Sequence, residues 1–130
     1  MLDHIGTYVQ DIEKAKTFYT AALKPLGYTV LSEFPEWSVI GLGIGGKPDF
    51  WVAQREANHN VHIALSAPDK ASVDAFHAAA LSAGGSDNGA PGYRTEYNPG
   101  YYGAFITDPF GNNLEAVFHD PNPPAAANSA

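Results

Sequence analysis

"DHIGTYVQDIEKAKTFYTAALKPLG" at residues 3–27 and "VHIALSAPDKASVDAFHAAALSAGG" at residues 61–85 align without a gap at a constant offset of 58. Identities fall at His4/His62, Ile5/Ile63, Asp11/Asp69, Phe18/Phe76, Ala21/Ala79, Ala22/Ala80, Leu23/Leu81 and Gly27/Gly85, an order too regular for chance. Each copy opens with a short strand headed by the histidine. An Asp follows, placed to accept a free amide at the start of a helix. Apolar residues at helical spacing come next, and then a Gly able to take the left-handed conformation that ends helices. Ile12, Ala15, Phe18, Tyr19, Ala22 and Leu23 make one apolar stripe; Val73, Phe76, Ala80 and Leu81 make its twin.

Strand-like segments follow each helix. In the first half they fall at 28–33, 37–44 and 49–54, with "GIGGKP" as a hairpin turn between the last two. In the second half "YYGAFITD" and "NNLEAVFH" are joined by "DPFG", whose Pro at the second place and Gly at the fourth mark a type I turn. Residues 86–100, rich in Gly, Pro, Asn and Asp, read as a long loop with at most one weak strand. The pattern is βαβββ twice, an α+β fold in one domain over 1–120, with module one at 1–57 and module two at 58–120. Residues 121–130 carry no periodic apolar face and are expected to be a loose tail.

Composition narrows the function classes. The 130 residues, 45% apolar and 12% aromatic, suffice for one buried core. A formal charge of -7 repels phosphate backbones and anionic lipid, so nucleic acid and membrane are excluded as expected partners. There is no Cys, hence no disulfide or thiolate chemistry. The opening residues show no secretory pattern and no apolar run has membrane-spanning length, so a cytoplasmic protein is expected.

Histidines duplicated in twin modules are half of a metal site if a pseudo-two-fold axis brings their strands together, because neutral imidazole suits Fe, Ni, Zn and related ions. Glu115, between Leu114 and Ala116 in an otherwise apolar strand, is the natural third ligand, since an unpaired buried carboxylate is costly. Two His and one carboxylate leave positions open for substrate oxygens or dioxygen.

With these residues in view, the chain resembles the vicinal oxygen chelate superfamily, which holds glyoxalase I, extradiol dioxygenases and the bleomycin and fosfomycin resistance proteins. The likeness spans residues 2–119. It rests on "DHIGTYVQDIEKAKTFYTAAL", "VHIALSAPD" and the DPxGNxLE pattern within "YYGAFITDPFGNNLEAVFH". It implies curved mixed sheets enclosing a cavity, with a divalent metal ion (Fe, Mn, Ni or Zn) held by His4, His62 and Glu115. The family's further ligand, on the fourth strand, falls at Trp51, or at Phe50 if the turn is one residue shorter. Neither side chain binds metal, which departs from glyoxalase I and is nearer the dioxygenase branch, although dioxygenases commonly have four modules. The likeness also implies a homodimer.

Other residues join this reading. His119 shares a strand face with Glu115 by period two and, with Tyr102, is a candidate acid or base. Phe50, Trp51, Trp37, Tyr101 and Phe105 are candidate walls of a substrate pocket, with Arg55 and Tyr102 as polar contacts. His59 and His77 are assigned to a loop and to helix surface. "GLGIGGKP" fits a phosphate-loop pattern by letter only, because Pro48 stands where a hydroxyl is needed and a strand, not a helix, follows. Two functions result: a metal-dependent lyase, isomerase or dioxygenase acting on a small substrate with adjacent oxygens, or a binding protein of the same fold without turnover.

Overall fold

A computed structural model describes residues 3–56 and 60–124. In chain order the elements are β1 (Ile5–Val9), α1 (Ile12–Leu23), β2 (Thr29–Phe34), β3 (Val39–Ile44), β4 (Lys47–Gln54), β5 (His62–Ser66), α2 (Lys70–Ser82), β6 (Ser86–Tyr93), β7 (Tyr101–Thr107) and β8 (Asn113–His119). Two four-stranded sheets result, ordered β1-β4-β3-β2 and β5-β8-β7-β6. In each, the opening strand runs parallel to the last one and the other pairs are antiparallel. The duplication read from the sequence is therefore a duplication of topology. His59, assigned to a loop, and residues 125–130 of the expected tail lie outside the described residues.

The repeated Asp does the same work twice. Asp11 accepts the Lys14 amide at 3.1 Å and Asp69 the Ser72 amide at 2.8 Å, satisfying donors that a helix start leaves free. The helix ends differ. α1 runs into a 3-10 turn over Lys24–Leu26 that closes at Gly27, whose φ of 90° is open to glycine at little cost. In the second copy the left-handed residue is Gly84, one place before the Gly85 that the repeat matches to Gly27.

Residues 86–100 hold more strand than the sequence suggests. Ser86–Tyr93 forms β6, an edge strand with register shifts between Asp87 and Gly89 and between Gly89 and Gly92. An edge position with bulges tolerates Pro91 and the glycines, which disguise a strand in composition. At the other module, 35–37 is a 3-10 turn, so the strand expected from 37 begins at Val39.

α1 lies over the first sheet, α2 over the second, and the two helices touch. Phe18, Tyr19, Ala22 and Leu23 of α1 pack with Ile40, Leu42, Phe50 and Val52 of the strands, and Val73, Phe76 and Ala80 of α2 meet Ala104, Ile106, Leu114 and Ala116. All are buried. Phe50, proposed as a pocket wall, is one of these core residues; its ring meets the Tyr19 ring edge-on at 5.1 Å. Alternation along β4 turns Phe50 toward the helix and its neighbour Trp51 the other way.

The turn after β7 ties the two modules together. Buried Asp108 accepts the amides of Phe110 at 2.9 Å and Asn112 at 2.8 Å through Oδ1. Its Oδ2 takes the Asn112 side-chain amide at 2.8 Å and the Tyr19 hydroxyl at 2.5 Å. Tyr19 belongs to α1, so the first module donates into the second. Asn112 Oδ1 in turn accepts the Val61 amide at 3.0 Å, and the Asn113 amide donates to Val61 O at 2.9 Å, aligning β5 beside β8. Burial, reinforced by the Asp108 charge, holds the Tyr19 phenol far above the usual tyrosine range and so keeps it a donor. Tyr19→Phe leaves a buried carboxylate short of one donor, at a cost of about 1–3 kcal/mol. Urea denaturation is expected to show a lower midpoint with an unchanged slope.

Candidate functional site

β8 carries Glu115 in the interior of the second sheet, and the side chain is only 2% exposed. Period-two alternation puts Glu115 on the face opposite α2, together with Tyr101 and Phe105 of the paired strand β7 and His62 of β5. His62 Nε2 stands 3.1 Å from Glu115 Oε1, and the Tyr101 hydroxyl donates to Glu115 Oε2. Both carboxylate oxygens are thus engaged. This is how a strand that is otherwise apolar tolerates the charge.

Aromatic rings complete the groove. Phe105 stacks on the His62 ring with centroids 6.2 Å apart, and Tyr97 meets Tyr101 edge-on at 4.9 Å. Tyr97 and Asn113 join His62, Tyr101, Phe105 and Glu115 as lining residues. Arg94 lies over the outer face of Phe105, its guanidinium 5.4 Å from the ring centre, and spends its donors on the Gly92 and Ala90 carbonyls. Sequence reading missed Tyr97 and Asn113. Tyr97 sits in the stretch taken for loop, and Asn113 is legible only once β5 is known to pair with β8 so that His62 faces it.

His4 does not join this group. It precedes β1, is exposed, and its Nδ1 bonds Asp3 Oδ2 at 2.7 Å. It lines a separate cleft with Ile5, Asp49 and, across the seam, Ala64, Leu65 and Ser66 of β5. That cleft draws on the start of β1 and the later residues of β5. The expected convergence of His4 and His62 is not seen within the chain: the two line separate clefts. Among the described residues, no three His, Cys, Asp or Glu side chains gather around one point. Nor do the sheets close around a single cavity; they open separate grooves.

The remaining candidates divide. His119 ends β8 exposed, its ring edge-on to Tyr101 at 5.5 Å, on the Glu115 side of the sheet but without contact to the carboxylate. Tyr102 faces the other way: its hydroxyl donates to Asp74 of α2 at 2.6 Å, and partial burial with that carboxylate pushes its pKa up to about 12. It is therefore no acid or base for Glu115; Tyr101, taken for an apolar wall, makes that contact. Arg55 sits over the Tyr8 ring at 5.5 Å and donates to the Gln54 carbonyl, in a groove apart from His62. Trp51 stacks on Phe34 at 6.4 Å, and Phe34 contacts Trp37, which is 65% exposed; these rings form a patch on the first sheet rather than a wall of the Glu115 groove. His77 is largely buried against β6, its Nε2 2.9 Å from Asp87, which correspondingly titrates below the usual carboxylate range.

Burial first, then the bond to Glu115 and its charge, raise the Tyr101 pKa well above the ordinary value of 10. The fold favours the neutral phenol, so this contribution to stability is whole below about pH 10 and is lost as the unfolded chain ionises above it. Tyr101→Phe is expected to flatten the fall of the urea midpoint between about pH 9.5 and 11.5 relative to the wild type. A fall as steep as the wild type's contradicts the assignment.

A family model described as the Glyoxalase/Bleomycin resistance protein/Dioxygenase superfamily matches residues 1–116. Among solved structures, a glyoxalase/bleomycin resistance protein from Albidiferax ferrireducens is 26% identical with a TM-score of 0.77, over 91% of this chain and 98% of that one. A hypothetical protein from S. aureus is also 26% identical, with a TM-score of 0.66 over 88% and 94%. A glyoxalase I mutant from Zea mays shares the fold at 20% identity and a TM-score of 0.63, over 89% of this chain and 43% of that one. No curated protein matches the chain. The twin βαβββ topology and the match over nearly the whole length place this chain in the Glyoxalase/Bleomycin resistance protein/Dioxygenase superfamily.

Proposed function

We propose that the Glu115 groove is the working site of a metal-dependent enzyme of the glyoxalase or dioxygenase type. Its substrate is a small molecule that chelates the ion through adjacent oxygens. The observation that carries this reading is the His62–Glu115 pair: a carboxylate 2% exposed with an imidazole nitrogen 3.1 Å away at the mouth of an aromatic groove. Donor atoms at neighbouring positions on one divalent ion, each bonded at about 2.1 Å, stand about 3.0–3.4 Å apart, so the pair fits two such positions. Fe, Mn, Ni and Zn all accept this donor pair. When bound, such an ion supplies Lewis-acid stabilisation of developing oxygen charge. The chain's own residues do the rest. Tyr101 fixes the orientation of Glu115 through its hydroxyl, Phe105 fixes the plane of His62, and Tyr97 and Phe105 offer ring surface that excludes water from a bound substrate.

Membership of a superfamily whose description names glyoxalases and dioxygenases supports an enzyme. The homodimer is part of the same reading. His4 lies outside the Glu115 groove of its own chain, and the unclosed sheets leave faces for a second copy.

One observation favours a binding protein without turnover. Trp51 pairs with Gly6 as Glu115 pairs with Ala64, so an indole stands where the second module has its carboxylate. Metal analysis of untagged protein discriminates. The enzyme reading expects near-stoichiometric divalent metal, lost in His62→Ala and in Glu115→Ala, with a dimer by sedimentation. No metal bound after addition of Fe(II), Mn(II), Ni(II) or Zn(II) assigns the chain to the binders instead.

A further inference from the structure

The cleft at the seam between the modules is distinct from the Glu115 groove and has a chemistry of its own. Its volume is about 380 Å³, and its walls are Ile5, Tyr28, Ile44, Ala64 and Leu65, with Asp49, His4 and Ser66 as polar members. Asp49 stands on β4, opposite His4 by the parallel register that pairs Ile5 with Phe50. Its Oδ2 accepts the Tyr28 hydroxyl at a long 3.3 Å. Its Oδ1 is shielded from solvent and has no hydrogen-bond partner among the described residues. The two buried carboxylates among the described residues are not left so: Asp108 has four donors and Glu115 has two neighbours.

An ionised oxygen without a donor in an apolar cleft is expensive, and a ligand that brings a positively charged N–H group relieves that cost. Asp49 lines the cleft, and the broad terminal torsion of Asp with the long Tyr28 bond leaves its carboxylate free to turn toward an incoming donor. Lys47, the nearest lysine on the same strand, is already paired with Asp3. The aliphatic and aromatic walls suit an alkyl body, and the charge of -7 draws cations toward the surface. We propose that this cleft binds small primary ammonium ligands with an apolar body, the ammonium group on Asp49 and the alkyl chain against Ile5, Ile44 and Leu65.

The test is a two-dimensional amide NMR titration of the full chain with n-butylammonium, with n-butanol and butyrate as isosteric controls, all at one ionic strength. Saturable shifts confined to β1, β4 and the end of β5, with a Kd raised at least tenfold in Asp49→Asn, support the site. Ala64→Leu fills the cleft from the opposite strand and is expected to abolish the shifts, so the test survives if the Asp49 variant folds poorly. His62→Ala, in the other groove, is expected to bind butylammonium as the wild type does. Absence of saturable shifts, equal response to butyrate, or binding that persists through both Asp49→Asn and Ala64→Leu overturns the proposal.

Discussion

A single buried carboxylate, Asp108, organises this molecule. One of its oxygens folds the β7–β8 turn through two backbone amides, while the other receives a phenol from the first helix and an amide from Asn112. Four donors on one carboxylate are enough to offset the loss of water. The same constraint extends outward, because Asn112 also carries the entry of β5 onto β8, and that pairing sets His62 within reach of Glu115. The DPxGN pattern is thus a joint between modules before it is anything chemical.

The two modules share topology but not chemistry. Where the second has Glu115 and Asn113 beside its opening strand, the first has Trp51 and Asp49. His4 and His62 line separate clefts. Each histidine meets a different carboxylate neighbourhood: Asp3 at the His4 side chain and Asp49 across the strand, Glu115 at His62. The duplication yields two unlike grooves rather than one symmetric centre.

Much of this was legible in the amino-acid order. The offset of 58, the repeated capping Asp and the apolar stripes lead directly to two βαβββ modules, because caps and periodicity act over a few residues. Glu115 was legible too, as a charge among apolar neighbours. What sequence could not carry depends on long-range geometry. Which cleft each histidine lines depends on how the two sheets pack, and no local pattern encodes that. Tyr101 and Tyr102 are adjacent and chemically identical, so only the phase of β7 tells which reaches Glu115 and which reaches Asp74. β6 was hidden by bulges at an edge, and Asp49 gains meaning only when its unpartnered oxygen and the facing strand are seen together.

If the turn positions the groove, a change in the turn must be felt at His62 without touching it. The direct measurement is the imidazole nitrogen spectrum of His62 in Asn112→Ala, compared with the wild type and with Glu115→Gln. The account expects Asn112→Ala to shift the His62 nitrogens about as far as loss of the Glu115 charge does, while His77, held by Asp87 in the same module, stays in place. A His62 signal that moves in Glu115→Gln and is unchanged in Asn112→Ala would contradict it.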